Sequence, residues 1–202
     1  MNPPPTDLRH ACDHLPLPPT PPLTLDELYA HFPDRSDRPV TETIPAESMP
    51  EPYRGLLVHT YHMTVTVEQF YCDAVDVRVL DARHAGDFYA RKILLALRSS
   101  GRVVQFGIVQ IDLSFLAPIV REEIISQKTP LGRVLIRHNV LRTVRPVEFF
   151  KATLSPAMCA WFGLTHPQPT YGRLGLIYTD HKPAIRVAEI MAPVRRDVSE
   201  SA

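Results

Sequence analysis

Two charged side chains stand where strand alternation puts apolar ones. The stretch Phe88 to Arg98 has strand character, and successive strand residues point to opposite faces. Arg91 therefore shares a face with Tyr89, Ile93, Leu95 and Leu97, while Phe88, Lys92, Leu94, Ala96 and Arg98 take the other. A guanidinium on an apolar face is costly to bury without a partner, so it calls for a structural carboxylate or an anionic ligand. The stretch Ala184 to Met191 repeats the anomaly: Ile185, Val187, Glu189 and Met191 share one face and Arg186 lies on the other. Burial raises a carboxylate pKa and a nearby arginine lowers it, so Glu189 is a candidate proton donor or hydrogen-bond partner. Alternation alone leaves two readings open. Arg91 and Glu189 pair directly inside a sheet, which is the simpler reading, or they bracket a ligand.

Other residues carry weaker chemical signals. Thr129-Pro130-Leu131-Gly132-Arg133 reads as a loop, because the residue before proline avoids the helical region and glycine permits unusual backbone angles. Such a loop can aim backbone N–H groups at a ligand oxygen, although it is more often a plain turn before a helix. His59 and His62 are three apart but lack a third ligand or an HExxH pattern, which favours packing or surface roles over a metal site. Cys159 beside Trp161 and Phe162 reads as an apolar cluster with no activating partner.

The elements that must hold these residues follow from periodicity. Residues 1–52 contain 13 of the 21 prolines, so the first stretch, through Pro22, reads as an extended arm. Thr24-Leu25-Asp26-Glu27 has the form of a capping box and predicts a helix over 25–31; Asp34 to Pro50 returns to loop composition. Tyr53, Leu56, Leu57 and Tyr61 recur at helical spacing. His62 to Phe70 is compatible with a strand or a helix. Val75, Val77 and Val79 alternate with Asp76 and Arg78 as a half-buried strand. Ser99-Ser100-Gly101 turns the Arg91 strand into its hairpin partner, Arg102 to Leu113. Phe115 to Ile125 reads as a helix starting near Leu116 or Ala117 because of Pro118, and Val134 to Arg137 as a helical turn. Leu141 to Lys151, Arg173 to Tyr178 and Ala184 to Met191 read as strands, with a short helix over Ser155 to Phe162. Helices come first and hairpin-joined strands dominate, the pattern of an α+β domain with a largely antiparallel sheet and flanking helices.

Composition bounds the function class. The 202 residues with 45% hydrophobic content suffice for one sizeable core. Lys plus Arg and Asp plus Glu balance at 22 each, which gives no electrostatic reason to expect nucleic acid or an anionic membrane as the main partner. No apolar run approaches the roughly 20 residues that span a bilayer, the start lacks a signal-peptide core, and Cys12, Cys72 and Cys159 form no CxxC pair. The expectation is a cytoplasmic protein in a reducing compartment.

Three of these segments together resemble the chorismate lyase (chorismate–pyruvate lyase, 4-hydroxybenzoate synthase) superfamily, in its divergent chorismate lyase-like branch. Tyr89-Ala90-Arg91-Lys92-Ile93-Leu94-Leu95 is similar to the family strand with its carboxylate-binding arginine. Lys128 to Leu135 is similar to the family loop whose leucine contacts ligand through its backbone, and Ala188-Glu189-Ile190-Met191-Ala192-Pro193 to the closing strand with its glutamate. His62-Met63-Thr64 is similar to the methionine segment of the pocket. Lys92 stands where well-known bacterial members tend to have an acid, and the spacing from Gly132 to Glu189 looks longer. The resemblance covers residues 51–194 and leaves 1–50 as a Pro-rich arm with a short helix and 195–202 as a loose tail.

The resemblance implies an enclosed site beneath helical flaps and a cofactor-free elimination of pyruvate from chorismate to give 4-hydroxybenzoate. It implies substrate contacts from Met63, Arg91, Leu131, Gly132 and Glu189, with Arg91 and Glu189 catalytic and no metal. Arg91 would grip the ring carboxylate, Glu189 would assist at the oxygen-bearing end, and the Leu131 N–H would add a neutral donor. The same fold serves as the effector domain of bacterial regulators, so a non-catalytic binder of an aromatic acid is the alternative, as is a related lyase giving another hydroxybenzoate. Those regulators carry an N-terminal winged helix, which the first 50 residues are not expected to build.

Overall fold

The structure is a computed structural model, and residues 22–194 are described. The extended arm of the first stretch and the charged tail after residue 194 lie outside the described residues, apart from Pro22.

Seven antiparallel strands form one sheet in the order β1-β5-β6-β7-β4-β3-β2. They are β1 (Val40–Ile44), β2 (Val75–Ala85), β3 (Phe88–Leu97), β4 (Val103–Asp112), β5 (Arg142–Thr153), β6 (Pro169–Thr179) and β7 (Lys182–Met191). The helices are α1 (Leu25–Tyr29), α2 (Tyr53–Leu57), α3 (Met63–Tyr71), α4 (Pro118–Ile125), α5 (Leu131–Arg137) and α6 (Pro156–Trp161). The α+β architecture with an antiparallel sheet is the one the alternating strands and hairpin turns predict.

Strand alternation divides the core. On one face Leu94, Phe106, Ile108, Leu176, Ala188 and Ile190 pack with α1 and α6. On the other face there are two separate clusters. Ile93, Leu95 and Met191 pack with α2 and α3, whereas Val109, Ile185 and Val187 pack with α4 and α5. The candidate site residues Arg91 and Glu189 lie between these two clusters.

Several expectations change in the folded chain. The α1 capping box forms as written, with the Thr24 hydroxyl accepting from Glu27 N and the Glu27 carboxylate accepting from Thr24 N. Leu23, Leu28, Tyr29 and Phe32 are buried on the sheet, so the packed domain begins before the expected boundary at residue 51. The expected loop from Asp34 to Pro50 contains β1, which pairs with β5. Its exposed Thr-Glu-Thr sequence carries no hydrophobic alternation, because an edge strand with little burial needs none. His62 to Phe70 resolves as helix α3 despite four β-branched residues, since the packing of Met63 and Val67 against α2 and the sheet outweighs strand propensity. The expected loop at Thr129–Arg133 is shorter than predicted: Pro130 caps α5, and Leu131 is already helical.

Candidate functional site

The floor of the site is written in sheet register. Ile93 of β3 faces Gly107 of β4, Gly107 faces Glu189 of β7, and Glu189 faces Arg173 of β6. One row along, Arg91 faces Val109, which faces Val187. Arg91 and Glu189 are thus two strands and two residues apart, a Cα separation of about 12 Å from standard strand spacing and rise. Gly107 stands between them without a side chain; a Cβ there would already touch Ile93 at 3.4 Å. The roof comes from the start of α3 and the Pro130–Gly132 start of α5. Gly132 permits that closure, since a Cβ would fall 2.9 Å from Thr64 Oγ1 on α3. Arg133 and Glu68 form an ion pair that ties α5 to α3, and Glu68 also accepts from Val75 N at 3.0 Å.

Between floor and roof lies a cavity with about 50 Å³ open to water centres, room for about three to five waters. Met63, Arg91, Leu131, Gly132 and Glu189 all line it, so the structure brings together the residues that the family resemblance implies as contacts. It does not bring Arg91 and Glu189 into contact with each other. Glu189 pairs with Arg173, whose Nε donates to Glu189 Oε2 at 2.6 Å. The simpler reading, a direct Arg91–Glu189 pair, is therefore corrected: the facing strand supplies a different arginine.

Arg173 is the principal residue that sequence reasoning missed. Its Nη1 also donates to the carbonyls of Leu57 and His59, both at 2.9 Å, so one guanidinium joins the β6–β7 floor to the end of α2. The signal was present, because Arg173 shares a strand face with Gly175 and Ile177. Gln105 was missed as well. It shares a face of β4 with Gly107 and Val109 and lines the cavity, and its Oε1 is buried without a hydrogen-bond partner among the described residues.

Arg91 is the electrostatic anomaly of the site. It is 1% exposed, and its Nε and Nη1 have no hydrogen-bond partner among the described residues. Burial lowers its pKa, partly countered by the nearby Tyr89 phenol, whose hydroxyl has no hydrogen-bond partner among the described residues. A buried guanidinium with no carboxylate partner among the described residues is energetically costly.

The two histidines are held neutral. His59 is lowered from its usual value by burial and by Arg173; its Nε2 bonds the Leu56 carbonyl at 2.7 Å and its Nδ1 accepts from Tyr61 N at 3.1 Å. His62 is lowered to about 4 by burial, then by Arg142 and Arg173. Its Nε2 accepts from Arg142 Nε, which leaves the proton of the neutral ring on Nδ1. Among the described residues no group of three His, Cys, Asp or Glu is arranged to hold a metal. Cys159 is buried among apolar neighbours, as its sequence context predicts.

No protein-family model and no curated relative matches this chain. Solved structures do. The chain is similar to PhnF from Mycobacterium smegmatis, with a TM-score of 0.52 at 10% identity over 69% of this chain and 70% of that one. It is also similar to the effector domain of that protein (TM-score 0.47, 10% identity, 65% and 88% covered). A transcriptional regulator of the GntR family from Bacillus cereus matches with a TM-score of 0.41 at 10% identity, over 63% of this chain and 98% of that one. At such identities the likeness concerns the fold. This chain has the chorismate lyase-like fold that also forms the effector-binding domain of GntR-type regulators.

Proposed function

We propose that this domain binds a small carboxylic acid, most suitably an aromatic one, with the carboxylate on Arg91. The observation that carries this reading is the buried guanidinium of Arg91, which lines the cavity and has two nitrogens without a partner among the described residues. A carboxylate there accepts a two-pronged, charge-assisted contact that lysine does not reproduce. Apolar walls from Ile93, Leu95, Val109 and Val187 suit a flat ring. Glu189, held in place by Arg173, accepts a hydrogen bond from a hydroxyl at the far end, and the Leu131 N–H and Gln105 serve as neutral contacts. The likeness in fold to regulator effector domains supports a binding role over a catalytic one.

The test is calorimetric titration with 4-hydroxybenzoate, wild type against Arg91→Met. Binding that the substitution weakens by about 30-fold or more supports the reading. Equal affinity in the two proteins, or none in the wild type, overturns it.

A second reading, chorismate–pyruvate lyase activity, is favoured by one feature, the Arg173 guanidinium beside Glu189. In that reaction the ether C–O bond breaks, the ring loses a proton and aromatises, and pyruvate leaves, so positioning and charge placement suffice. Arg173 would put positive charge at the departing oxygen while Arg91 holds the ring carboxylate. Pyruvate release from chorismate, followed through a coupled dehydrogenase, tests it; a folded, ligand-binding protein that releases none is a binder only.

A further inference from the structure

The inner cavity adjoins a second, outer cleft, and Tyr61, His62 and Val144 line both. The cleft is also lined by Val65 and Gln69 of α3, Ile136 of α5 and Leu141 and Arg142 at the start of β5. Tyr61 and Leu141 are 71% and 69% exposed, so the outer lips are apolar and open to solvent. The charged group at the junction is Arg142. Its Nε donates to His62 and its Nη1 to the Val140 carbonyl at 2.7 Å. No carboxylate among the described residues pairs with it, whereas Arg133, Arg137 and Arg173 each have one.

The lining therefore carries two cations without carboxylates, at separate depths. Arg91 lines the inner cavity and Arg142 the adjoining outer cleft, while Arg173 and Glu189 cancel each other and His62 is neutral. The strands that carry the two cations, β3 and β5, are four spacings apart in the sheet, about 19 Å, so a ligand that serves both side chains must be elongated. Charge complementarity then specifies more than an aromatic acid.

We propose that the ligand is an elongated dianion, with one carboxylate buried on Arg91 and a second acidic group at the mouth on the free edge of the Arg142 guanidinium. This rests on the binding role of Arg91 proposed above and adds a selector for the second charge. The Tyr61–Leu141 lips hold the apolar linker between the two acids. His62 positions the selector, because its neutral Nε2 accepts from Arg142 Nε and turns the remaining N–H groups toward the cleft.

The experiment compares three probes by calorimetry: 4-hydroxybenzoate, a para-alkoxybenzoate whose chain ends in a carboxylate, and the same molecule ending in a primary amide. The wild type is expected to bind the carboxylate-ended probe about tenfold more tightly than the amide-ended one. Arg142→Gln should erase that difference and leave 4-hydroxybenzoate within about twofold, and Arg142→Lys should restore part of it. Equal affinity of the two long probes in the wild type overturns the proposal, as does an Arg142→Gln protein that weakens all three equally. Should Arg142→Gln fail to fold, the wild-type comparison of the two long probes decides alone. Binding of 4-hydroxybenzoate through Arg91 without preference for the second charge defeats only this proposal. Absence of binding by every probe defeats both.

Discussion

Arg91 and Lys92 are neighbours on β3, both buried, and they point to opposite faces of the sheet. On the α1 side the Lys92 ammonium has a carboxylate partner. Its Nζ donates to Asp37 Oδ1 at 2.7 Å and to the Asp34 carbonyl at 2.8 Å, and it lies 4.8 Å from the Tyr29 ring centroid and 5.1 Å from that of Phe32. On the cavity side two Arg91 nitrogens have no partner among the described residues. The difference teaches how to read a buried charge. A cation whose counter-charge comes from its own chain belongs to the scaffold; one that is buried without a counter-charge among the described residues is a candidate ligand contact.

The contrast breaks most visibly on the scaffold side. Asp37→Asn leaves Lys92 buried without a carboxylate and should cost about 3–5 kcal/mol of unfolding free energy, read from urea denaturation midpoints. The neighbouring cation behaves in the opposite way. Arg91→Met removes an uncompensated buried charge, so stability should stay within about 1 kcal/mol of wild type or rise, while 4-hydroxybenzoate affinity falls by about 30-fold or more. A large loss of stability in Arg91→Met would place both cations in the scaffold and end the contrast.

Protonation sharpens the comparison at the cavity mouth. His62 is lowered to about 4 from a usual 6.5, so between those values the unfolded chain binds the proton and the folded one does not. Stability from this group is fully present above pH 6.5 and falls as the pH drops toward 4. The half-buried ring limits the effect to on the order of 2 kcal/mol. Denaturation of wild type and His62→Asn at pH 7 and pH 4.5 checks it: the acid-induced loss should be smaller in the variant.

The smallest expected effect concerns the roof. In Gly132→Ala the new Cβ falls 2.9 Å from Thr64 Oγ1 and 3.3 Å from His62 Cβ, which should push α5 from α3 at a net cost of about 1 kcal/mol, the clash outweighing the helix propensity gained. Adding Thr64→Ala, which removes the nearest atom, should recover most of that loss in thermal melts.

Much of the fold was legible because strand alternation and hairpin turns are local signals. The strands carrying Val75, Arg91 and Glu189 were legible in this way, as was the Thr24–Glu27 cap. Edge strand β1 was not, since Thr41, Glu42 and Thr43 are all exposed and show no pattern to read. Helix α3 was ambiguous because Thr64, Val65 and Val67 favour strands locally, and only packing decides against them. Within the site, Gln105 and Arg173 obeyed the same wrong-face rule as Arg91 and were readable by it, but nothing in one strand says which side chain faces it from the next.

That divides what each level determines. The sequence by itself determined that Arg91 and Glu189 point into the apolar side of a sheet, because the two-residue period of a strand depends only on its own residues. The fold brings Glu189 to Arg173 and leaves Arg91 without a carboxylate among the described residues. Those outcomes depend on strand order and register across β3, β4, β7 and β6, which join residues far apart in the chain. Whether a buried charge is paired or waiting is a property of its neighbours, and neighbours are set by the fold.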